Sequence, residues 1–116
     1  MQFKKIEELK TDIKLNNLGK EKMYMTDLAD FDITDPRIRL FSLVQVKPGE
    51  QVDYHVHVGE CEYYFILSGK GLYNDGGEKV ELTSGMATLT PSGQGHSFKN
   101  IGDEMLVFIA FILADK

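Results

Sequence analysis

Hydrophobic and polar positions follow a regular pattern along most of the chain after residue 36. Stretches of about five to nine residues rich in Val, Ile, Phe, Tyr and Thr are separated by short segments that contain Gly, most of them with Pro, Asn or Asp: VKPGE, LSGKG, NDGGE, PSGQG and NIGDE. Glycine and asparagine accept positive φ angles and proline fixes a bend, as tight turns require. Strands with turns every 8 to 12 residues or so predict an all-β sandwich or barrel.

The longest apolar segment, MLVFIAFIL at 105–113, is predicted to be a buried strand. It has about half of the roughly 20 residues that a helix needs to cross a bilayer, so no membrane partner is expected. Because the segment is apolar on both faces, its outer face needs cover beyond the core of its own chain. A second subunit is one candidate for that cover.

The N-terminal segment shows a different period. FKKIEELK spaces Phe3, Ile6 and Leu9 three residues apart, which predicts a short amphipathic helix. Residues 11–35 have the least regular pattern, and we expect them to form an irregular segment or one edge strand.

Length and composition are those of an ordinary globular protein, with 116 residues, 42% hydrophobic and 27% charged. We expect a single domain over 1–116, with an N-terminal extension over 1–36 and a barrel core over 37–113. The formal charge of -5 comes without a basic cluster, so nucleic acid is not an expected partner. A single cysteine, Cys61, and an opening segment without the features of a secretion signal predict a reducing cytoplasm.

The stretch YHVHVGECEYY at 54–64 carries the first candidate chemistry. Side chains alternate between the two faces of a strand, so His55 and His57 point the same way and can bind one ion. An isolated glycine in a strand pattern often marks a break or a bulge, which we expect at Gly59. If strand pairing restarts after this glycine, Glu62 returns to the region that the two histidines face.

The third of the three histidines, His96, lies in TPSGQGHSFKN just after a turn rich in Pro and Gly. Neutral imidazoles together with a carboxylate suit Zn, Fe, Mn, Ni or Cu, whereas a site built on thiolates or on oxygen alone would have another composition. The chain therefore contains the ligand types of a transition-metal site, divided between two segments.

The spacing of these residues resembles the conserved motifs of the cupin family. From Gly49, five residues precede His55, one separates it from His57, four more precede Glu62, and six separate Glu62 from Gly69. This series is similar to the first cupin motif at every position.

A second series farther along the chain resembles the second cupin motif equally well. From Gly85, five residues precede Pro91, one separates it from Gly93, two more precede His96, and three separate His96 from Asn100. The 15 residues between the two series are similar to the short spacer of small microbial cupins.

The resemblance implies a double-stranded β-helix, a jelly-roll-like cupin barrel with a metal near one mouth. It implies one divalent transition-metal ion per chain, Mn, Fe, Ni or Zn, bound by His55, His57, Glu62 and His96. Small cupins commonly form homodimers, which agrees with the need to cover the outer face of 105–113. A small-molecule ligand or substrate would bind at positions of the metal that the protein leaves open.

Two residues beside the first motif allow more than one interpretation. Glu60 either competes with Glu62 as a ligand or is a solvated acid of the turn. Cys61 is either a small buried hydrophobic residue or a redox-active thiol.

Four further residues have two candidate roles each. Tyr64 and Phe98 either line the ligand pocket or belong to the core. Arg37 and Arg39 share one strand face, where they either anchor an anionic substrate or are solvent-exposed charges.

The resemblance does not select a reaction, because fold does not imply function. Cupins use this site for oxygenation, decarboxylation, isomerisation and epimerisation. The first hypothesis is a metal-dependent enzyme acting on a small polar metabolite, carboxylate-like or sugar-like. The alternative is a non-catalytic module that binds or senses a metal or a small ligand.

Overall fold

A computed structural model describes residues 1–115 of the chain. Within them the backbone forms one short 3-10 turn at Ile6–Glu8 and ten strands. The strands are β1 (Thr11–Leu15), β2 (Glu21–Asp27), β3 (Ile38–Val46), β4 (Gln51–Val56), β5 (Glu60–Ser68), β6 (Lys70–Asn74), β7 (Lys79–Thr83), β8 (Ala87–Thr90), β9 (Gly95–Asn100) and β10 (Leu106–Ala114).

The strands form two antiparallel sheets. The larger sheet has the order β1-β2-β3-β10-β5-β8, and the smaller one has the order β4-β9-β6-β7. From β3 onward the chain passes repeatedly between the sheets, as at β3 to β4, β4 to β5 and β9 to β10. The predicted all-β class and the double-stranded β-helix are confirmed.

The core lies between the two sheets, and both sheets contribute to it. Ile66, Leu106 and Phe108 of the larger sheet are fully buried, as is Phe98 of the smaller sheet. The rings of Phe98 and Phe108 meet edge to face, with centroids 5.1 Å apart. Full burial of side chains of this size stabilises the fold by about 1.5–3 kcal/mol each.

The predicted buried strand at 105–113 is β10, which lies between β3 and β5 in the larger sheet. Its inner side chains, among them Phe108 and Ala110, are buried in the core. Ile109 and Phe111 on its outer face are half-buried by neighbouring side chains of the same sheet. The expected two apolar faces are therefore present, and the outer one stays partly accessible.

Gly69 permits the abrupt passage from β5 in the larger sheet to β6 in the smaller one. Its φ is +90°, in the left-handed region that side chains with a Cβ rarely adopt. A Cβ at this position would lie 2.6 Å from the backbone oxygen of Met105. Because that oxygen belongs to the backbone before β10, it cannot move aside, and both the turn and the close approach require glycine.

The prediction of an N-terminal amphipathic helix is wrong. The segment forms only the 3-10 turn at Ile6–Glu8, and none of its residues is buried. Phe3 and Ile6 are 79% and 54% exposed, and Leu9 is half-buried, so the three residues do not share a packed face. A helix this short has little stability without such packing.

The segment 11–35, expected to hold at most one edge strand, contributes two strands. β2 pairs with both β1 and β3, and β1 forms the edge of the larger sheet. Within residues 1–115, no helix has the length and apolar character needed to cross a membrane.

Candidate metal centre

The two sheets bring the three histidines and Glu62 together at one end of the core. His55 on β4 and His96 on β9 are cross-strand partners in the smaller sheet. Glu62 comes from β5 in the larger sheet, and His57 lies in the connection from β4 to β5. One potential ligand atom from each of the four residues lies within 4.8 Å of all the others.

Gly59 is the residue that lets the chain return so soon after His57. Its φ is +74°, and it lies between the end of β4 and the start of β5. The break expected at this glycine is therefore present. It places His57 and Glu62 on opposite sides of a tight connection, with their side chains facing each other.

The converging atoms are the three Nε2 nitrogens and Oε1 of Glu62. The Nε2 of His96 lies 3.1 Å from the Nε2 of His55 and 3.1 Å from that of His57. Oε1 of Glu62 lies 2.7 Å from the Nε2 of His96, 2.9 Å from that of His57 and 3.8 Å from that of His55. Ligands about 2.0–2.1 Å from a common Zn²⁺ ion have neighbour distances of this size.

In two of the three histidine rings, Nδ1 is hydrogen-bonded to an oxygen that can only accept a hydrogen bond. Nδ1 of His55 donates to the backbone oxygen of Asp53 at 2.7 Å, and Nδ1 of His57 donates to Oε2 of Glu60 at 2.7 Å. In each neutral ring the hydrogen is thus held on Nδ1, and Nε2 presents a lone pair.

His96 is held in a comparable way, although its partners are hydroxyl groups. Its Nδ1 lies 2.9 Å from Oγ1 of Thr90 and 3.1 Å from the hydroxyl of Tyr73. Thr90 sits on β8 directly opposite Glu62, and Tyr73 is on β6. The ring of His96, which is fully buried, is therefore fixed by both sheets.

The arrangement fits a cation and is unfavourable without one. Oε1 of Glu62 is buried and makes no hydrogen bond within the described residues, although it lies close to two Nε2 atoms. A negative oxygen and lone pairs of nitrogen converge on one point, where they repel each other unless a positive charge lies between them. Three imidazoles and one carboxylate are a donor set for Mn, Fe, Ni or Zn.

The carboxyl group of Glu62 stays ionised at neutral pH. Burial alone would raise its pKa, but interactions with the His55 and His96 rings outweigh burial and lower the pKa to about 2. The same carboxylate raises the pKa of His55. A proton and a metal ion therefore compete for the same nitrogen of His55.

Glu60 is not among the four converging residues, and it is not a solvated acid of the turn either. Its side chain is only 16% exposed, and its two oxygens bind different partners. Oε2 accepts from His57, and Oε1 accepts from Nη1 of Arg39 at 2.7 Å. Spacing alone could not reveal this role, because the turn at Gly59 folds Glu60 back onto His57.

Arg37 and Cys61, two further candidates from the sequence, lie outside the cluster of four converging residues. Arg37 pairs with Asp35 at the surface, so this arginine is engaged by a neighbouring acid. Cys61 is a half-buried free thiol. In the strand pairing, Cys61 lies opposite Leu113 of β10. The next residue along β5, Glu62, is buried and points into the candidate metal centre.

A cavity of about 310 Å³ reaches the converging side chains and includes His55 and Glu62 in its wall. Tyr64 also lines it, and burial raises the pKa of its hydroxyl well above the ordinary value, which keeps that group protonated. Phe98 is fully buried in the core and is not among the lining residues. Another cavity, of about 340 Å³, touches none of the four converging residues. The cavity that includes His55 and Glu62 is therefore the candidate ligand site.

Together the fold and this site define a class of protein: a double-stranded β-helix with a metal-type cluster of three histidines and one glutamate between its sheets. The chain belongs to the cupin family. The family model described as Cupin domain matches residues 42–112, which include all four converging side chains.

Two of the curated relatives have names connected with oxalate. An oxalate-binding protein of Thermotoga maritima is 37% identical over 95 residues, which cover 82% of this chain and 78% of that protein. The oxalate decarboxylase OxdC of Bacillus subtilis is 30% identical over 99 residues, which cover 81% of this chain but only 25% of that protein.

A solved structure extends the likeness over nearly the whole chain. The crystal structure of a predicted oxalate decarboxylase from Thermotoga maritima superposes with a TM-score of 0.87 and 32% identity. The match covers 97% of this chain and 99% of that one. The N-terminal strands are therefore shared with this relative as well as the region that the family model matches.

Proposed function

We propose that the chain binds one divalent transition-metal ion, Mn, Fe, Ni or Zn, through His55, His57, Glu62 and His96. The observation that carries this proposal is the convergence of three Nε2 atoms and one buried carboxylate oxygen, most of them 2.7–3.1 Å apart. The Nδ1 atoms of His55 and His57 donate to other groups, so the Nε2 lone pairs of these two rings are directed at the common centre, and hydroxyl groups hold the ring of His96 in place beside them.

The metal would act on a small carboxylic acid. When bound, a divalent ion supplies Lewis-acid polarisation of a coordinated oxygen. Four protein ligands leave one or two positions of a five- or six-coordinate ion for that oxygen. Glu60, Thr90 and Asp53 hold the rings in place.

We propose a metal-dependent enzyme as the first function and a non-catalytic binding module as the second. The complete set of four ligands supports an enzyme. The relative named as an oxalate-binding protein, at 37% identity, supports binding of a small acid with or without turnover. It also favours a carboxylate over a sugar as the class of ligand.

Turnover measurements on metal-loaded protein separate the two functions. The substrates are a panel of oxalate, 2-oxo acids and hydroxy acids, followed by NMR, and the control is His57→Ala. Turnover of any acid that is lost in His57→Ala supports the enzyme. Binding of an acid without turnover across the panel supports the module, and absence of any binding contradicts both.

Glu60 is expected to contribute to metal affinity without touching the ion. Glu60→Ala removes the acceptor that orients His57, so we expect metal affinity, measured against a competing chelator, to fall by about 10- to 100-fold. Glu60→Gln should lose less, because an amide oxygen can still accept from Nδ1.

The matched control for this prediction is Glu81→Ala. Glu81 also pairs with a basic residue, Lys70, but it is about half exposed and lies on β7. Its removal should leave metal affinity unchanged. Glu60→Ala with the affinity of the unaltered chain would contradict a positioning role.

We propose a homodimer, located in the cytoplasm. The outer face of the larger sheet supports the dimer: Tyr63 and Phe65 are each 45% exposed, and Leu89 is 52% exposed beside them. These residues adjoin the outer face of β10 and form one apolar surface. Sedimentation at micromolar concentration should give the mass of two chains, and the mass of one chain would contradict the dimer.

A further inference from the structure

The cavity beside the candidate metal centre is larger than a two-carbon diacid needs. Its volume of about 310 Å³ is roughly ten times the ~30 Å³ that a water molecule occupies in the liquid. Oxalate coordinated at the metal would fill only the part near His55 and Glu62. The remaining walls therefore indicate what else the ligand contains.

Most of those walls are apolar. They are formed by side chains of both sheets: Met23 and Met25 of β2 and Leu40 and Val44 of β3 in the larger sheet, and Val52 of β4 in the smaller one. Val44 and Met23 are buried, and the other three pack against the core. Such a surface is covered favourably by hydrocarbon and not by a second carboxylate.

Tyr64 adds a polar group at a defined place in the wall. The residue is only 3% exposed, and its ring stacks on His96 with centroids 5.0 Å apart. Tyr64 lines the cavity together with His55 and Glu62. A tyrosine hydroxyl that stays protonated in the cavity wall can donate a hydrogen bond to an oxygen of a ligand bound at the metal.

Positive charge is also present in the wall. Lys14 of β1 and Lys22 of β2 both line the cavity. The ammonium group of Lys22 lies 3.3 Å from Asp53, and its side chain is 12% exposed. Asp53 offsets the charge of Lys22, so Lys14 is the lining cation that favours an anionic ligand over a neutral one.

We propose that this site takes a small organic acid with an apolar body. The acid head lies at the open metal positions and shares a hydrogen bond with the Tyr64 hydroxyl, and the body covers the wall formed by β2, β3 and β4. This inference rests on the proposed function, because the head needs the metal. It goes further by excluding a compact diacid as the preferred ligand.

A series of acids with one chelating head and a growing body tests the inference. The probes are pyruvate, 2-oxobutanoate, 2-oxopentanoate and 4-methyl-2-oxopentanoate, with oxalate for comparison, titrated calorimetrically into the Zn²⁺-loaded protein. Affinity should rise by about fourfold for each added methylene group, which corresponds to full burial of that group. Oxalate should bind more weakly than the longer 2-oxo acids.

Two variants separate the head from the body. Tyr64→Phe should weaken every 2-oxo acid by about tenfold or more and leave the rise with chain length unchanged. In Met25→Thr the new threonine also suits a β-strand, but the substitution removes part of the apolar wall. It should reduce the rise with chain length and leave the affinity for pyruvate unchanged.

The outcomes distinguish this inference from the proposed function. If affinity stays constant or falls with chain length, or if oxalate binds most tightly, the inference of an apolar body is overturned. The proposal of a metal site that binds an acid would remain. If the protein takes up Zn²⁺ but binds none of the acids, the proposed function fails as well. An equal effect of Met25→Thr on all probes would overturn the assignment of the wall.

Discussion

His55→Ala is expected to lower metal affinity by about 100-fold. Folding-coupled binding of Zn²⁺ by four ligands amounts to about 10–16 kcal/mol, or about 3 kcal/mol per ligand, and each 1.4 kcal/mol is a factor of ten. His55 is the best ligand to remove, because its side chain is 39% exposed, whereas those of His57 and His96 are at most 5% exposed. Competition with a chromogenic chelator measures the affinity.

Thermal unfolding gives a second readout of the same substitution. At a free metal concentration 100 times the Kd, binding stabilises the unaltered chain by about 2.7 kcal/mol, which for a domain of this size raises Tm by about 10 °C. The shift should almost disappear in His55→Ala. Gln51→Ala, an exposed position on the same strand, should retain it. An unchanged shift in His55→Ala would contradict the assignment of this ligand.

Asn100→Asp is expected to lower the free energy of unfolding by about 3 kcal/mol. The Asn100 side chain is almost fully buried, and its Nδ2 donates to the backbone oxygens of Val46 at 2.8 Å and Glu104 at 2.7 Å. Aspartate has nearly the same shape but offers these two carbonyls an acceptor. Two lost donors and a buried charge account for the expected magnitude.

The control for this prediction is Asn74→Asp in the turn after β6. Oδ1 of Asn74 accepts from the backbone of Gly76 at 2.9 Å, and a carboxylate can do the same. Urea unfolding should therefore show little change for this variant. The effect of Asn100→Asp should diminish as the pH is lowered, because protonation of the new carboxyl restores one donor. Equal stability of the two variants at neutral pH would contradict the account.

Much of the barrel could be predicted because its turns and strands are encoded locally. Glycine-rich segments mark the connections on both sides of β6, and the run at 105–113 marks the central strand β10. The two histidines of 54–64 and His96 could be placed together only through the resemblance to a family. The cross-strand pairing of His55 with His96 depends on long-range hydrogen bonds that no local pattern specifies.

The N-terminal region could not be predicted for a different reason. The apolar spacing of Phe3, Ile6 and Leu9 has a helical period, yet Phe3 and Ile6 stay exposed and Leu9 is only half-buried. Among the residues that the structure describes, β1 pairs with β2 alone, and every side chain of β1 is exposed. Its strand structure therefore depends on edge pairing and not on an apolar face. Sequence patterns that rely on burial do not detect such a strand.

The role of Glu60 likewise depends on the folded arrangement. Its contacts with His57 and Arg39 join a turn to a residue 21 positions away on β3. The sequence shows an acid beside a glycine, which is typical of an exposed turn. Only the convergence of β3, β4 and β5 places this carboxylate behind a candidate ligand.

Metal analysis of the crystallised protein tests the central claim most directly. The chain would be purified without chelators or a metal-affinity tag, and anomalous scattering would be recorded at the absorption edges of Mn, Fe, Ni and Zn. We predict one ion per chain, within about 2.0–2.2 Å of Nε2 of His55, His57 and His96 and of a carboxylate oxygen of Glu62. No ion at this position, even after addition of each of the four metals, would contradict the claim.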